Sequence, residues 1–415
     1  MDRHHQQCLR SFVALLVLLT SVSVEANDKR SSKSGQQRYH IVDHAIPQPL
    51  SSTPGDAKRG KAVLEDQERG NCLVCHMTPR GDRHMQGTVG PPLDGVANRV
   101  SLATLRLRIV DSQAFAPMSV MPSYHRTHDL HRVDGRYVNQ TILTQQEVED
   151  ILAYLVTMTE TPAEVPSPLS SPTTASQTSP RGNPPRSGFT YLSPESQQLQ
   201  DDEFANPGML WVERGRELWN TADGTTGVAC ATCHANAATS MKGVRPRYPR
   251  YSKQRRKLVN LEQQINWCRV TRIQAPAFEY ESEPLLALAT FISFQSRHLP
   301  MQVAVDGPAR RFFAAGRTSF ARRRGQLNLA CGHCHDHNSG KRLRGEIISQ
   351  GQTNGFPIYR QLWQTLGSSH RMFAWCNTAI RAKPFALGSD EYVNLELYMA
   401  WRARGLPVES PAIRR

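Results

Sequence analysis

Three copies of one pentad carry the chemistry of this chain. Cys72-Leu-Val-Cys75-His76, Cys230-Ala-Thr-Cys233-His234 and Cys331-Gly-His-Cys334-His335 each set two thiols three residues apart, with a histidine directly after. That order fits covalent attachment of c-type haem. The thiols form thioethers to the vinyl groups, and the adjacent imidazole reaches the iron as proximal ligand. Cys72, Cys75, Cys230, Cys233, Cys331 and Cys334 are therefore the expected attachment points of three covalently bound haem c groups. His76, His234 and His335 are the expected proximal ligands.

A six-coordinate iron needs a second axial ligand, whose identity sets its potential. After the first pentad, Gly90-Pro91-Pro92 and Val120-Met121-Pro122 follow the pattern of small cytochromes c. Met121 is the expected sixth ligand there, with Met118 and His125 as nearby competitors. The second and third pentads have no comparable Met-Pro pair. Each is followed instead by one cysteine, Cys268 at 34 residues after His234 and Cys376 at 41 after His335. A thiolate ligand favours ferric iron, lowers the potential and keeps its sulfur deprotonated and nucleophilic. The alternative for these two cysteines is a Cys268–Cys376 disulfide, the default in an oxidising compartment.

That compartment follows from the N-terminus. Arg3 and Arg10 precede and flank a short apolar run from Phe12 to Leu19, and Val24-Glu25-Ala26 offers a cleavage site, so residues 1–26 read as a secretory signal. The run is short for a membrane span, and no later stretch is long enough, so a periplasmic protein without a membrane span is expected. The formal charge of +14 is unchanged by signal removal. An exported haem protein has little occasion to meet nucleic acid. The basic excess is expected to balance haem propionates and to suit an acidic protein partner or an anionic substrate. Residues 245–257 are the densest basic run, read either as a solvated face with propionate contacts or as a docking patch.

The positioning elements repeat with the pentads. Each is expected to have a helix before it, irregular chain around the haem and a closing helix. Thr144-Gln-Gln-Glu147 is a capping box, followed by Val148, Ile151, Leu152 and Leu155 at helical spacing. Pro284 starts a second closing helix through Leu285 to Phe294, and Ser389 to Trp401 gives the third, with Val393, Leu397 and Trp401 on one face. Residues 161–198 hold 8 Pro and 8 Ser in 38 positions, the composition of an extended linker. The expected fold is all-α, with three cytochrome c-like haem domains in tandem, joined by the Pro/Ser-rich linker. The boundaries are a polar arm at 27–58, a monohaem domain at 59–160, the linker at 161–198, and two further haem domains at 199–305 and 306–415.

On these residues the chain resembles SoxXA, the cytochrome complex that begins periplasmic thiosulfate oxidation. Gly70-Asn-Cys-Leu-Val-Cys-His76, Val89-Gly-Pro-Pro-Leu-Asp-Gly95 and Val120-Met-Pro-Ser-Tyr124 are similar to SoxX. Leu261-Glu-Gln-Gln-Ile-Asn-Trp-Cys-Arg269, Gly351-Gln-Thr-Asn-Gly-Phe-Pro-Ile-Tyr-Arg360 and Gly405-Leu-Pro-Val408 are similar to dihaem SoxA. The resemblance implies that Cys268 and Cys376 are axial ligands, and that Cys376 is the reactive residue, borne as a persulfide. It implies oxidative joining of thiosulfate to a cysteine of the sulfur carrier SoxYZ, with two electrons passing to an external cytochrome c. Thiosulfate is a dianion, and Arg371, five residues before Cys376, is the expected group to bind it, with Arg381 and Lys383 following.

The chain departs from the family pattern at Met372, where a second Arg is usual, and at Ser339, where an aromatic is expected. A third departure is the linker itself, which joins two modules that are usually separate subunits. A trihaem electron carrier without substrate chemistry and a dihaem peroxidase with an added carrier domain are the competing functions.

Overall fold

The computed structural model describes residues 39–79, 81–159 and 184–415. The expected signal, the first part of the arm and most of the linker lie outside them. Three helix pairs organise the described chain. Ala57–Glu65 packs against Gln145–Leu155, Met209–Asn220 against Glu283–Phe294, and Arg310–Ala321 against Asp390–Arg402. Each first partner leads into a pentad, and each second partner closes its unit.

The closing helices form where the sequence predicts them. Thr144 and Glu147 cap each other reciprocally, and Val148, Ile151, Leu152 and Leu155 are all buried behind them. Pro284 occupies the first turn of Glu283–Phe294, where its missing N–H costs nothing. Ser389 caps Asp390–Arg402, which buries Val393 and Leu397 and leaves Trp401 half-buried.

A glycine sits at the crossing point of each pair. A Cβ on Gly60 would lie 1.9 Å from the Asp150 carbonyl oxygen, on Gly215 2.2 Å from that of Ala287, and on Gly316 2.0 Å from that of Asn394. The helices thus touch backbone to backbone.

Strands are short and peripheral. Two hairpins pair Arg250–Ser252 with Lys257–Val259 and Arg342–Leu343 with Glu346–Ile347. A three-stranded sheet has Ile358–Arg360 at its centre, antiparallel to Thr365–Gly367 and parallel to Ala412–Arg414. The fold is mainly helical, as the sequence implies. No helix among the described residues is long and apolar enough to cross a membrane.

Two boundaries move. The arm was expected to be loose to residue 58, but from Tyr39 onward it packs on the first unit. Ile46 and Leu50 are buried. The Leu50 amide donates to Glu149 Oε1 at 2.9 Å, and Arg106 forks onto both Glu149 oxygens at 2.8 and 2.9 Å. Two apolar anchors in a polar stretch give no periodic signal, which is why the sequence hid them.

The expected linker likewise ends before residue 198. Ser193 caps a helix over Pro194–Asp201, and Ser187 accepts a hydrogen bond from Asn354 Nδ2 at 3.3 Å.

Gly60→Ala, Gly215→Ala and Gly316→Ala should each destabilise the protein by about 1–3 kcal/mol or more, because the added methyl meets rigid backbone. Gly135→Ala, with nothing within 4 Å of the new Cβ, should be close to neutral. Urea unfolding of the four variants checks this.

Candidate active site

Each pentad histidine in the first and third units is locked by its Nδ1. His76 Nδ1–H donates to the Pro91 carbonyl at 2.7 Å, and His335 Nδ1–H to the Ser349 carbonyl at 2.8 Å. Both bonds fix the tautomer and leave Nε2 as the free ring nitrogen, the arrangement a metal-bound imidazole requires. Glycines clamp the rings: a Cβ on Gly90 would lie 2.3 Å from His76 Cε1, and one on Gly351 2.9 Å from His335 Nδ1. Burial pushes the titration of both histidines down. In the second unit, Trp219 lies 5.6 Å from the His234 ring.

The second unit encloses a cavity of about 240 Å³. Cys230, Cys233 and His234 line it with Cys268, and Leu261, Ile265, Leu288 and Ile292 supply apolar walls. Sulfur and imidazole in an apolar slot suit a covalently held haem with a second sulfur ligand. Gln264 Nε2 donates to Cys268 Sγ at 3.4 Å. Arg247 and Arg250 of the basic run line the same cavity, whereas Arg245 is buried beyond it. Only part of that run is a solvated face.

Cys376 belongs to the third unit. It sits on the helix Ser369–Ala379, and its thiol is pushed up to about 12, by burial first and then by the Cys331 and Cys334 sulfurs it faces. The Arg360 guanidinium opposes that rise. Cys268 and Cys376 are both free thiols, each grouped with its own pentad, so the disulfide alternative is not what this structure contains.

Arg360 is the residue that sequence reasoning missed. It lies on the central strand, 3% exposed, with its guanidinium 4.0 Å over the Trp375 ring and 5.1 Å from Trp363. Its Nη1 approaches Met372 Sδ at 3.9 Å. Met372 is one turn before Cys376, about 40° away around the helix. Arg371 lies about 140° away; it stacks over Trp363 at 4.4 Å and donates to the Leu366 carbonyl at 3.2 Å. The two guanidiniums therefore share Trp363, with Arg360 inside and Arg371 further out.

The other expected cations are used differently. Arg381 reaches the first unit, donating to the Glu68 carbonyl with its guanidinium 4.7 Å from the Tyr137 ring, and also donates to Gln326 Oε1 of its own unit at 2.8 Å. The Lys383 amide donates to the Arg132 carbonyl at 2.8 Å. At Ser339, the Tyr191 hydroxyl lies 3.0 Å from its Oγ, so an aromatic does reach this position from elsewhere in the chain.

In the first unit Met121 is half-buried and packs against the core, Met118 is 70% exposed, and His125 Nδ1 lies 3.1 Å from the Leu143 carbonyl.

The first and third units meet at their pentads. The Arg344 amide donates to the Val74 carbonyl at 2.8 Å, and Arg344 Nη2 to Asn71 Oδ1 at 2.8 Å. Arg342 and Thr88 exchange bonds at 2.9 Å. Burial pushes the Cys75 thiol up to about 12, and the Cys334 sulfur across the contact adds to this. A second zone joins Val133 to Ala382 as an antiparallel bridge, and Asn328 Nδ2 to Gln113 Oε1 at 2.7 Å.

Comparisons with known proteins agree with this geometry. Residues 57–159 match the cytochrome c family model, and residues 214–301 match the SoxA/TsdA cytochrome c domain. The L-cysteine S-thiosulfotransferase subunit SoxA of Pseudaminobacter salicylatoxidans is 40% identical over 241 residues, covering 57% of this chain and 84% of that protein. The same subunit of Rhodovulum sulfidophilum is 42% identical over 229 residues, covering 55% and 80%. The crystal structure of SoxXA from P. pantotrophus superposes with a TM-score of 0.54 at 36% identity, covering 56% of this chain and 87% of that one.

The contact between first and third units is polar and rich in backbone bonds, so it should be held by proximity. With a protease site placed between residues 160 and 183, the two pieces should co-elute at about 10 µM and separate near 10 nM. The uncut chain should stay whole at both concentrations. Size-exclusion chromatography distinguishes these outcomes.

Proposed function

The chain belongs to the SoxA family of L-cysteine S-thiosulfotransferases of the Sox thiosulfate-oxidation system, and we propose that it is a SoxX–SoxA fusion acting on the carrier SoxYZ. The reading has the carrier thiol and thiosulfate joined through a new sulfur–sulfur bond: carrier–SH and S₂O₃²⁻ give carrier–S–S₂O₃⁻, one proton and two electrons. An external cytochrome c in the periplasm is the proposed acceptor. The supporting observation is that Cys376 faces Cys331 and Cys334 at the end of a helix whose flank carries the Arg360–Trp363–Arg371 stack.

Three covalent haem c groups are proposed, in domains at 59–160, 199–305 and 306–415. They are held by Cys72, Cys75 and His76, by Cys230, Cys233 and His234, and by Cys331, Cys334 and His335. Met121, Cys268 and Cys376 are the proposed sixth ligands. Bound haem supplies one-electron acceptors for the oxidation.

The chain's own residues do the rest. Cys376 presents the reactive sulfur. Arg371, half-buried at the outer side of Trp363, holds the thiosulfate anion. Arg360, buried behind Trp375, sets a fixed positive charge beside the sulfur at position 376 without having to move.

With SoxYZ and oxidised cytochrome c, the parent protein should add thiosulfate to the carrier and Cys376→Ala should add none, as read by intact mass. No adduct with haem-loaded parent would leave the electron-carrier reading standing. Arg371→Gln should raise KM for thiosulfate about 10–100-fold, the loss of one charge-assisted contact. Arg360→Met should instead lower kcat with little change in KM. Met121→Ala should lower the potential of one haem, which Met118→Ala leaves unchanged; redox titration reads both.

A further inference from the structure

The two helices that carry Cys268 and Cys376 in their last turns are joined at their first turns by buried ionisable groups. Glu262 stands six residues before Cys268, and His370 stands six before Cys376. Glu262 is 7% exposed and His370 fully buried. Between them lies Glu396 of the closing helix Asp390–Arg402, and Arg245 completes the cluster. None of the four has a part in the reaction described above.

Their hydrogen bonds define a charge balance. The Gly388 amide donates to His370 Nδ1 at 3.0 Å, so the ring carries its hydrogen on Nε2, which lies 3.1 Å from Glu396 Oε2. Asn260 Nδ2 donates to the same oxygen at 3.1 Å. Arg245 spends its donors on the carbonyls of Phe356, Tyr248 and Thr353, and gives the carboxylates charge without a direct bond. Tyr280 stacks on His370 and points its hydroxyl to Asn260 Oδ1 at 3.1 Å.

One guanidinium thus faces two buried carboxyls. Glu396 has the partners of an anion, and Glu262 does not. A cavity of about 10 Å³ opens between Arg245, Glu262, Ser293 and Glu396, roomy enough for about one water. Glu262 Oε2 and Ser293 Oγ both border it without a hydrogen-bond partner among the described residues. A buried carboxyl lacking a counter-cation keeps its proton. Burial and then the Glu396 charge push Glu262 up to about 7.

We propose that Glu262 and Glu396, bridged by one water held in the Arg245–Ser293 cavity, form a site that binds one proton from solvent when the sulfur-bearing centres are reduced. Reduction adds negative charge at the far ends of both helices, and linkage requires that whatever gains electrons there raises the proton affinity here. The inference rests on the reading that Cys268 and Cys376 are ligands of redox centres. Its geometry, however, is independent of which substrate is oxidised.

Reduced-minus-oxidised infrared spectra of the haem-loaded protein test it directly. Reduction near pH 7 should create a protonated-carboxyl band that shifts in D₂O, disappears in Glu262→Gln and persists in the surface control Glu65→Gln. Reduction in weakly buffered solution should take up a fraction of a proton, at most about half per molecule near pH 7, where the carboxyl already holds its proton in about half of the molecules. Absence of the band and of proton uptake in the parent would overturn the proposal, and so would a band that survives Glu262→Gln.

Unfolding gives a further arm. A folded-state value near 7, raised from the usual 4.5, means the fold holds a proton that the unfolded chain releases. Stability should therefore fall as pH rises from about 4.5 to about 7, and Glu262→Gln should flatten that slope. Loss of thiosulfate transfer in the parent with the infrared band intact would refute the reaction and leave the proton site standing.

Discussion

Where Gly60, Gly215 and Gly316 meet the carbonyls of Asp150, Ala287 and Asn394, two helices touch with no side chain between them. That contact sets how far each pentad stands from its closing helix, because the chain between glycine and first thiol is short. It measures 12 residues from Gly60 to Cys72, and 15 both from Gly215 to Cys230 and from Gly316 to Cys331. The opening helices scale with it, at 9 residues in the first unit and 12 in the other two. A fixed crossing with a fixed run to the thiols makes the imidazole wall of each slot rigid. The opposite wall is free to differ: a methionine loop in the first unit, a helix with a cysteine in its last turn in the others. The family of chemistries open to the chain lies in that second wall.

The basic excess is largely internal architecture. Arg245 reaches three carbonyls at once, which a lysine ammonium on a flexible stem does not match in fixed geometry. Arg323 spans the carbonyls of Pro117 and Ser119, and Arg132 those of Lys383 and Pro384, across the contact between first and third units. Irregular chain around a large cofactor leaves many carbonyls outside helices and strands, and they must be satisfied by something. Guanidinium forks do this here. A charge of +14 is therefore only partly a statement about the surface.

What was legible in the sequence was local. The pentads, the Thr144–Glu147 cap, Pro284 at a helix start and the two late cysteines all declare themselves within a few residues of chain. Arg360 does not, because its relation to Cys376 depends on a strand that pairs with residues 412–414 and packs under Trp375. Arg371 is close to Cys376 in sequence, but it lies about 140° around the helix from it, and its stacking on Trp363, shared with Arg360, could not be read from spacing. Arg381, five residues after Cys376, is equally close by counting. Its backbone is left-handed (φ 56), and its guanidinium bonds the Glu68 carbonyl of the first unit.

The meeting of the first and third units explains why a covalent connection is useful. The hairpin Arg342–Leu343/Glu346–Ile347 lies on Asn71, Val74 and Thr88, so Cys75 and Cys334 come to face each other. Yet the bonds that hold it are mostly to backbone carbonyls, and such contacts exchange with water at little net gain. An interface of this kind is specific in geometry without being strong. Keeping both modules on one chain raises the local concentration of each around the other. Alignment of the two attachment sites then no longer depends on affinity, and the contact can remain polar while staying closed.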